Sequence, residues 1–235
     1  MKILLVAATP FELAPTLEHL EKGSEQKSFL KFQYKGIQVF PLITGVGGVR
    51  TAFALARFTD MEHIDIAVNV GVAGSFKRTL SLGSVVEVKE DRFADLGAEE
   101  RDGSFTDVYE MGLSQKDDYL HSDGWIKNQN NSLAGKVEQV RGITVNKVHG
   151  HEKSIERIAD KYHADVESME GAAFFYACKN MDVTSLQIRG ISNYVEPRNR
   201  ASWQLEKAIT NVNSYLIRWI DDLASSRLHT IPFGP

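Results

Sequence analysis

Cysteine is nearly missing: Cys178 stands alone in 235 residues. An internal disulfide framework is therefore excluded, and the chain suits a reducing compartment. Missing too is any apolar run of the roughly 18–20 residues that a membrane-spanning helix needs. Residues 3–8, preceded by a single Lys, are too short for the apolar core of a signal peptide, so a cytoplasmic protein with no membrane partner is expected. There is no basic excess, with 27 Lys and Arg against 31 Asp and Glu, which argues against nucleic acid as a partner. Apart from Arg198-Asn199-Arg200 the cations are scattered, so an anionic ligand would have to be recognised locally. Internal repeats, low-complexity tracts and obvious linkers are absent as well. What is present is 43% hydrophobic and 25% charged, a globular balance. One domain over residues 1–235 is the economical reading, with a loose tail from about 228 where two prolines and a glycine gather.

The patterning alternates strand and helix. Residues 2–8 (KILLVAA) read as a buried parallel strand. Thr9-Pro10 then caps a helix running to about 22, with Pro15 predicting a kink or a later start. Residues 29–34 and 37–44 flank Lys35-Gly36, a two-residue hairpin signal. The turn 45–48 (GVGG) leads into a helix over 49–58. Residues 64–70 form a second buried strand that ends in 71–74 (GVAG), and 84–88 form a third. Residues 91–140 are polar and weakly patterned, predicting loops and one short helix. A strand over 142–148, an amphipathic helix over 152–162 and a helix over 169–181, apolar on nearly every face, follow. A strand over 184–190, a loop over 191–200 and a helix over 201–224 close the chain. The fold class is α/β, a sandwich around one mixed, mostly parallel sheet.

Ligands of such folds bind beyond the carboxyl ends of the strands, which selects the segments 8–12, 44–48, 70–76 and 189–200. Both glycine motifs are expected as tight turns needing positive φ. The helix after GVGG could also offer free amides to an anion. Neither motif is a dinucleotide or NTP fingerprint. Glu170 is more unusual, an acid at the head of a greasy helix. Complementing the helix dipole would explain it. So would a sugar diol, which supplies two hydroxyl donors to a carboxylate that otherwise lacks partners. Cys178 reads as core packing. His149 and His151 are two residues apart, but no third ligand completes metal spacing, so no metal and no cofactor are expected.

Residues 166–173 (VESMEGAA), followed at helix-plus-strand distance by 189–193 (RGISN), resemble the nucleosidase branch of the purine nucleoside phosphorylase family. Residues 2–12, 44–56 (TGVGGVRTAFALA) and 69–74 (NVGVAG) match the same family in order and spacing. The likeness spans essentially the whole chain and is weakest across 91–140. It implies a three-layer α/β/α sandwich, a small-molecule purine nucleoside as partner, and a homo-oligomer in which a neighbouring subunit completes the 5′ pocket. Within the branch, residues 189–200 with Trp203 best resemble enzymes acting on a hypoxanthine nucleoside that carries a carboxyphenyl group on its 5′ side. Methylthioadenosine/S-adenosylhomocysteine nucleosidases instead end the matching strand with Asp.

By that resemblance Glu12, Glu170 and Asn193 form the catalytic set. Glu170 binds the ribose hydroxyls, Met169 lies against the sugar, and Glu12 deprotonates the attacking water. Val72, Ala73, Gly74, Val148, His149, Ser168, Tyr194 and Arg198 are expected to line the substrate, with Arg200 a further candidate for its carboxylate. Phosphorylases of the family use a Gly-Asp-Pro loop where this chain has residues 8–12 (ATPFE), and Glu12 would repel phosphate. Arg50 near GVGG keeps phosphorolysis open as an alternative. A carboxamide at Asn193 can donate to a 6-oxo group and accept from N7–H, which favours hypoxanthine. A methylthioadenosine-type nucleosidase and a non-catalytic nucleoside-binding module are the remaining alternatives.

Overall fold

A computed structural model describes residues 1–28, 31–59, 63–128 and 137–225. The elements run β1 (Lys2–Ala7), α1 (Pro10–Gly23), β2 (Gln26–Ser28), β3 (Lys31–Tyr34), β4 (Ile37–Ile43), α2 (Gly48–Thr59), β5 (Ile66–Ser75) and β6 (Val85–Phe93). Then come the short strands β7 (Gly97–Glu99), β8 (Phe105–Asp107), β9 (His121–Ser122) and β10 (Trp125–Lys127). They are followed by β11 (Glu138–Thr144), α3 (Glu152–Tyr162), β12 (Val166–Ser168), α4 (Gly171–Asn180), β13 (Thr184–Tyr194) and α5 (Leu205–Ser225). No described helix is long and apolar enough to cross a membrane.

β1 is apolar on both faces because it lies between two parallel neighbours, β4 and β5, with helices above and below. Ile3, Leu5 and Ala7 enter one core with Leu13 and Leu20 of α1 and Val212 and Leu216 of α5. Leu4 and Val6 enter the opposite core with Leu55 of α2 and Phe174, Phe175 and Cys178 of α4. Two helical layers thus enclose a mixed sheet, as the sequence predicts. The first half of β5 pairs with β1, and its last residues pair antiparallel with β12. β12 and β6 both run parallel to β11, and β13 joins β6 antiparallel to β5 parallel. The strands β5, β13, β6, β11 and β12 therefore close on themselves, and their carboxyl-terminal ends gather the candidate residues.

Several boundaries differ from the sequence expectation. α1 starts at Pro10 and runs through Pro15, with no later start. Pro15 is only the sixth helical residue, so one early hydrogen bond is forgone while Leu13, Thr16 and Leu20 still bury the helix face. GVAG is no turn: β5 continues through it to Ser75. β6 continues to Phe93, and 91–128 contains the hairpin pairs β7–β8 and β9–β10 with no helix among the described residues. That stretch is organised by Arg92, whose guanidinium bonds Asp107 at 2.5 Å and lies against the rings of Tyr109, Trp125 and Tyr162. Such long-range polar and aromatic contacts leave no periodic signature in sequence. β11 ends at Thr144, so Val148 and His149 occupy the loop after it. β13 runs on through Asn193 and Tyr194 where a loop was expected, and α5 begins at Leu205, after a single turn of 3₁₀ helix. The expected hairpin at Lys35-Gly36 forms, both residues taking positive φ. Phe29 and the tail from 228 lie outside the described residues.

α1 is locked to α5 by one buried amide. Asn213 Oδ1 accepts from the Thr16 amide at 3.2 Å and its hydroxyl at 2.6 Å, while Nδ2 donates to the Glu12 carbonyl at 2.9 Å. Asn213→Ala strands these buried groups, each costing about 1–3 kcal/mol when left unpaired. The variant is expected to lose roughly 2–3 kcal/mol in urea unfolding, with an unchanged denaturant slope.

Candidate active site

Glu12 stands in the first turn of α1, just beyond the end of β1. Its Oε2 accepts from the Thr9 amide at 2.9 Å and the Thr9 hydroxyl at 3.0 Å, the return half of a capping box. Its Oε1 points to the Val72 amide at 3.4 Å. That approach needs glycine at 71: a β-carbon there would lie 2.7 Å from Glu12 Oε1 and 3.1 Å from Arg189 Nη1. Gly71 and Gly74 therefore serve close approach rather than positive φ, correcting the turn expected from sequence. In GVGG the expectation stands, with Gly45 at φ +85 and Gly47 at φ +99.

The positive φ of Gly47 aims its amide at Glu170, whose Oε1 accepts it at 3.0 Å. Glu170 is the N-cap of α4, not an interior helical residue, and Met169 lies half-buried beside it in the turn after β12. Burial raises the Glu170 carboxyl above the usual range; Arg189 and the Gly47 amide oppose this, and the Glu12 charge adds to it.

Arg189, on β13, belongs to the RGISN motif, but sequence reasoning assigns it no role. It is almost wholly buried, its guanidinium bonds Asn69 Oδ1 and, at 3.3 Å, Gln187 Oε1, and its Nε has no partner among the described residues. Burial lowers its affinity for the proton, while Glu170, Glu12 and Asp91 all favour its charge. Asp91 is the innermost member. It accepts from Thr144 Oγ1 at 2.9 Å, the Arg92 amide at 2.8 Å and Gln187 Nε2 at 2.9 Å. Thr144 Oγ1 in turn takes the Ala172 amide at 2.7 Å and so pins the head of α4 that carries Glu170. Burial pushes Asp91 up to about 7, against the Thr144 hydrogen bond and the Arg189 charge. A pair such as Asp91–Arg189 could be seen only once β6 and β13 were adjacent.

A second group of residues gathers at Gly74. A β-carbon there would lie 3.1 Å from Asn193 Nδ2, 3.1 Å from Val195 Cγ2 and 3.6 Å from Glu167 Cγ. Asn193 is on β13 next to a bulge at Ser192. Its Oδ1 accepts from the Ser192 hydroxyl at 2.8 Å and its Nδ2 donates to the Tyr194 carbonyl at 3.0 Å. One N–H and one acceptor lone pair remain. Glu167, also given no role by sequence reasoning, is buried and takes both the His149 amide at 3.1 Å and His149 Nδ1 at 2.7 Å. Gly150 accepts the Arg198 amide at 3.2 Å, which draws that loop against the segment after β13.

The other predicted residues are placed as follows. The Val72 backbone meets Glu12, and the Ala73 carbonyl accepts from Ser192 Oγ at 3.3 Å. Ser168 is buried at the end of β12, where its carbonyl accepts the Val145 amide at 3.0 Å. Val148 packs on the core formed by Ile143, Val145, Trp125 and Ile158. Tyr194 is covered by Arg78, whose guanidinium is 4.3 Å from the ring centre and 2.5 Å from Glu196. Arg198 is exposed, its guanidinium over Trp203 at 5.3 Å, and Arg200 is exposed as well. Arg50 is exposed and stretched across Gly45. The structure thus joins Glu12 and Glu170 around Arg189, and Asn193, Gly74 and His149 around Glu167. Residues 71 and 74 of β5 link the two groups across about 10 Å of strand.

Comparison with known proteins places these features in context. The profile of the phosphorylase superfamily matches residues 2–220. A futalosine hydrolase from Thermus thermophilus is 30% identical over 209 residues, 88% of this chain and 90% of the relative. A 5′-methylthioadenosine/S-adenosylhomocysteine nucleosidase from Maridesulfovibrio salexigens is 27% identical, covering 95% of this chain and all of the relative. Among solved structures, the native futalosine hydrolase of Helicobacter pylori superimposes with a TM-score of 0.79 at 18% identity, over 94% of this chain and 98% of that one.

Asp91 carries a consequence for stability. Its folded-state affinity for a proton exceeds that of an unfolded Asp, near 4, so the folded state holds the extra proton between the two values. The stabilisation is complete below about pH 4 and is lost as pH rises through about 7. Asp91→Asn is expected to flatten the decline in unfolding free energy between pH 5 and pH 8. Urea unfolding of both proteins across that range measures it.

Proposed function

The chain belongs to the phosphorylase superfamily, and from that premise we propose that it hydrolyses the N-glycosidic bond of a 6-oxopurine nucleoside, futalosine being the preferred substrate. The broad class rests on its relatives: futalosine hydrolase and methylthioadenosine/S-adenosylhomocysteine nucleosidase are both N-glycosyl hydrolases, and so is this chain. The products would be hypoxanthine and dehypoxanthine futalosine, a step of menaquinone biosynthesis. A cytoplasmic setting accords with the single, buried thiol of Cys178.

The observation that carries the choice of base is the fixed amide of Asn193. Because the Tyr194 carbonyl can only accept, it holds Nδ2 on its own side, and the spare N–H and lone pair suit O6 and N7–H of hypoxanthine. Glu12 is the general base for water, with Thr9 and Val72 aiming its oxygens. Glu170 receives the ribose hydroxyls, and its charge favours the oxocarbenium-like sugar. Met169 forms the apolar wall. Hydrolysis rather than phosphorolysis is supported by the two carboxylates around Arg189 and by Arg50 lying out in solvent.

A homo-oligomer is supported by the rim of the ribose end. Phe11 (54% exposed), Val46 (45%), Val49 (83%) and Phe53 (64%) present apolar side chains beside Glu12, around GVGG and along α2. Such a cluster next to a site marks a surface that another molecule covers, and a second copy there would wall the 5′ pocket. Val49→Glu together with Phe53→Glu should shift sedimentation to the monomer. An unchanged sedimentation coefficient would exclude α2 as the interface.

Base release from futalosine, inosine, adenosine and methylthioadenosine, each with and without phosphate, tests the function. Futalosine is expected to be cleaved without phosphate. Cleavage confined to methylthioadenosine would overturn the choice of base, and strict phosphate dependence would overturn hydrolysis. Asn193→Asp should lower kcat/KM for the 6-oxopurine by about 5–150-fold, the equivalent of roughly 1–3 kcal/mol for one mispaired hydrogen-bonding group, at an unchanged melting temperature.

A further inference from the structure

Departure of the base poses a problem that Asn193 cannot solve. When the C1′–N9 bond breaks, its electron pair stays on the purine, and a carboxamide can hydrogen-bond the resulting anion but cannot give it a proton. Glu12 removes a proton from water on the sugar side. Glu170 faces the ribose, and burial of Asp91 beneath α4 keeps it from the base. A titratable group with an open nitrogen is His149, held by Glu167, which approaches the same strand position, Gly74, as Asn193.

Its setting suits the task. Glu167 is a buried carboxylate and only accepts, so the 2.7 Å contact with His149 Nδ1 requires a proton on Nδ1 and leaves Nε2 as the working nitrogen. No hydrogen bond to Nε2 occurs among the described residues. The same carboxylate takes the His149 amide at 3.1 Å, fixing backbone and ring together. Glu167 and Asn193 converge on Gly74, so the ring is tethered to the group that reads the base. The imidazole is 11% exposed, so the ring is largely sheltered without being sealed off.

We propose that His149 is the general acid for the departing purine and that Glu167 is its positioning residue. This rests on the nucleosidase reading above. In the step, His149 acts from the form that carries a proton on both ring nitrogens: the C1′–N9 pair moves onto the purine, the Nε2–H proton passes to a nitrogen of that ring, and its electron pair stays on Nε2 while Nδ1–H remains on Glu167. Water adds to C1′ and yields its proton to Glu12. Exchange with solvent then returns a proton to His149 and removes one from Glu12, so the cycle balances without a cofactor.

A nucleoside methylated at N7 carries a fixed positive charge and leaves as a neutral base, so it needs no acid. The test compares whichever purine nucleoside the wild type cleaves with its N7-methylated form. His149→Gln is expected to lower kcat on the unmodified nucleoside by about 10²–10⁴-fold while turnover of the N7-methylated one stays near wild type. Glu167→Gln, which keeps an acceptor for the His149 amide, should show the same partition with a smaller loss, and serves if His149→Gln folds poorly. Equal losses on both substrates, or no loss on either, would overturn the proposal and leave the pair a structural tie. Wild-type protein that cleaves no purine nucleoside would instead overturn the reading of the whole site.

Discussion

Everything at this site hangs on one buried cation. Arg189 lies among three carboxylates, those of Glu12, Glu170 and Asp91, and each favours its charge against a strong desolvation cost. Buried charges are tolerable only when paired and hydrogen-bonded. The arrangement meets that demand in layers: Asp91 takes Thr144 and Gln187, Gln187 and Asn69 take the guanidinium, and Gly47 and Thr9 take the outer acids. Removing the cation would leave like charges facing each other in a poorly solvated cleft. Two of those acids are the ones assigned to water and ribose, so the cation that balances them stands at the centre of the proposed chemistry.

The closed strand arrangement follows from this need. Glu12 comes from α1, Glu170 from the head of α4, Asp91 from β6 and Arg189 from β13, segments far apart in sequence. They meet because β5 runs through the middle with glycine where side chains would intrude. At 71 a β-carbon would displace Glu12, and at 74 it would press on Asn193. Backbone without side chains is what lets two polar groups converge on one strand from neighbouring elements.

Much of this was legible beforehand, for identifiable reasons. The buried strand β1, the first half of β5, the helix α3 and the Lys35-Gly36 hairpin rest on local periodicity and turn chemistry, and they form where expected. The stretch over 91–128 did not yield, because its order comes from Arg92 against Asp107 and three rings contributed by different elements. The glycines of GVAG were legible as special but not as to why: the pattern suggests a turn, and only a neighbouring carboxylate reveals close approach. Glu167 escaped notice since, in sequence, it is simply an acid three residues before Glu170.

The sequence by itself determined the α/β alternation, the family, and the presence of Glu12, Met169, Glu170 and Asn193 at strand and helix ends, since these depend on residue type and short-range spacing. Only the tertiary structure decided what those residues face. The grouping of three acids around Arg189 and the tie of His149 to Glu167 beside Asn193 depend on strand register and on the sheet closing upon itself. Electrostatic partnership falls off with distance in space rather than along the chain, and a linear string records only the latter.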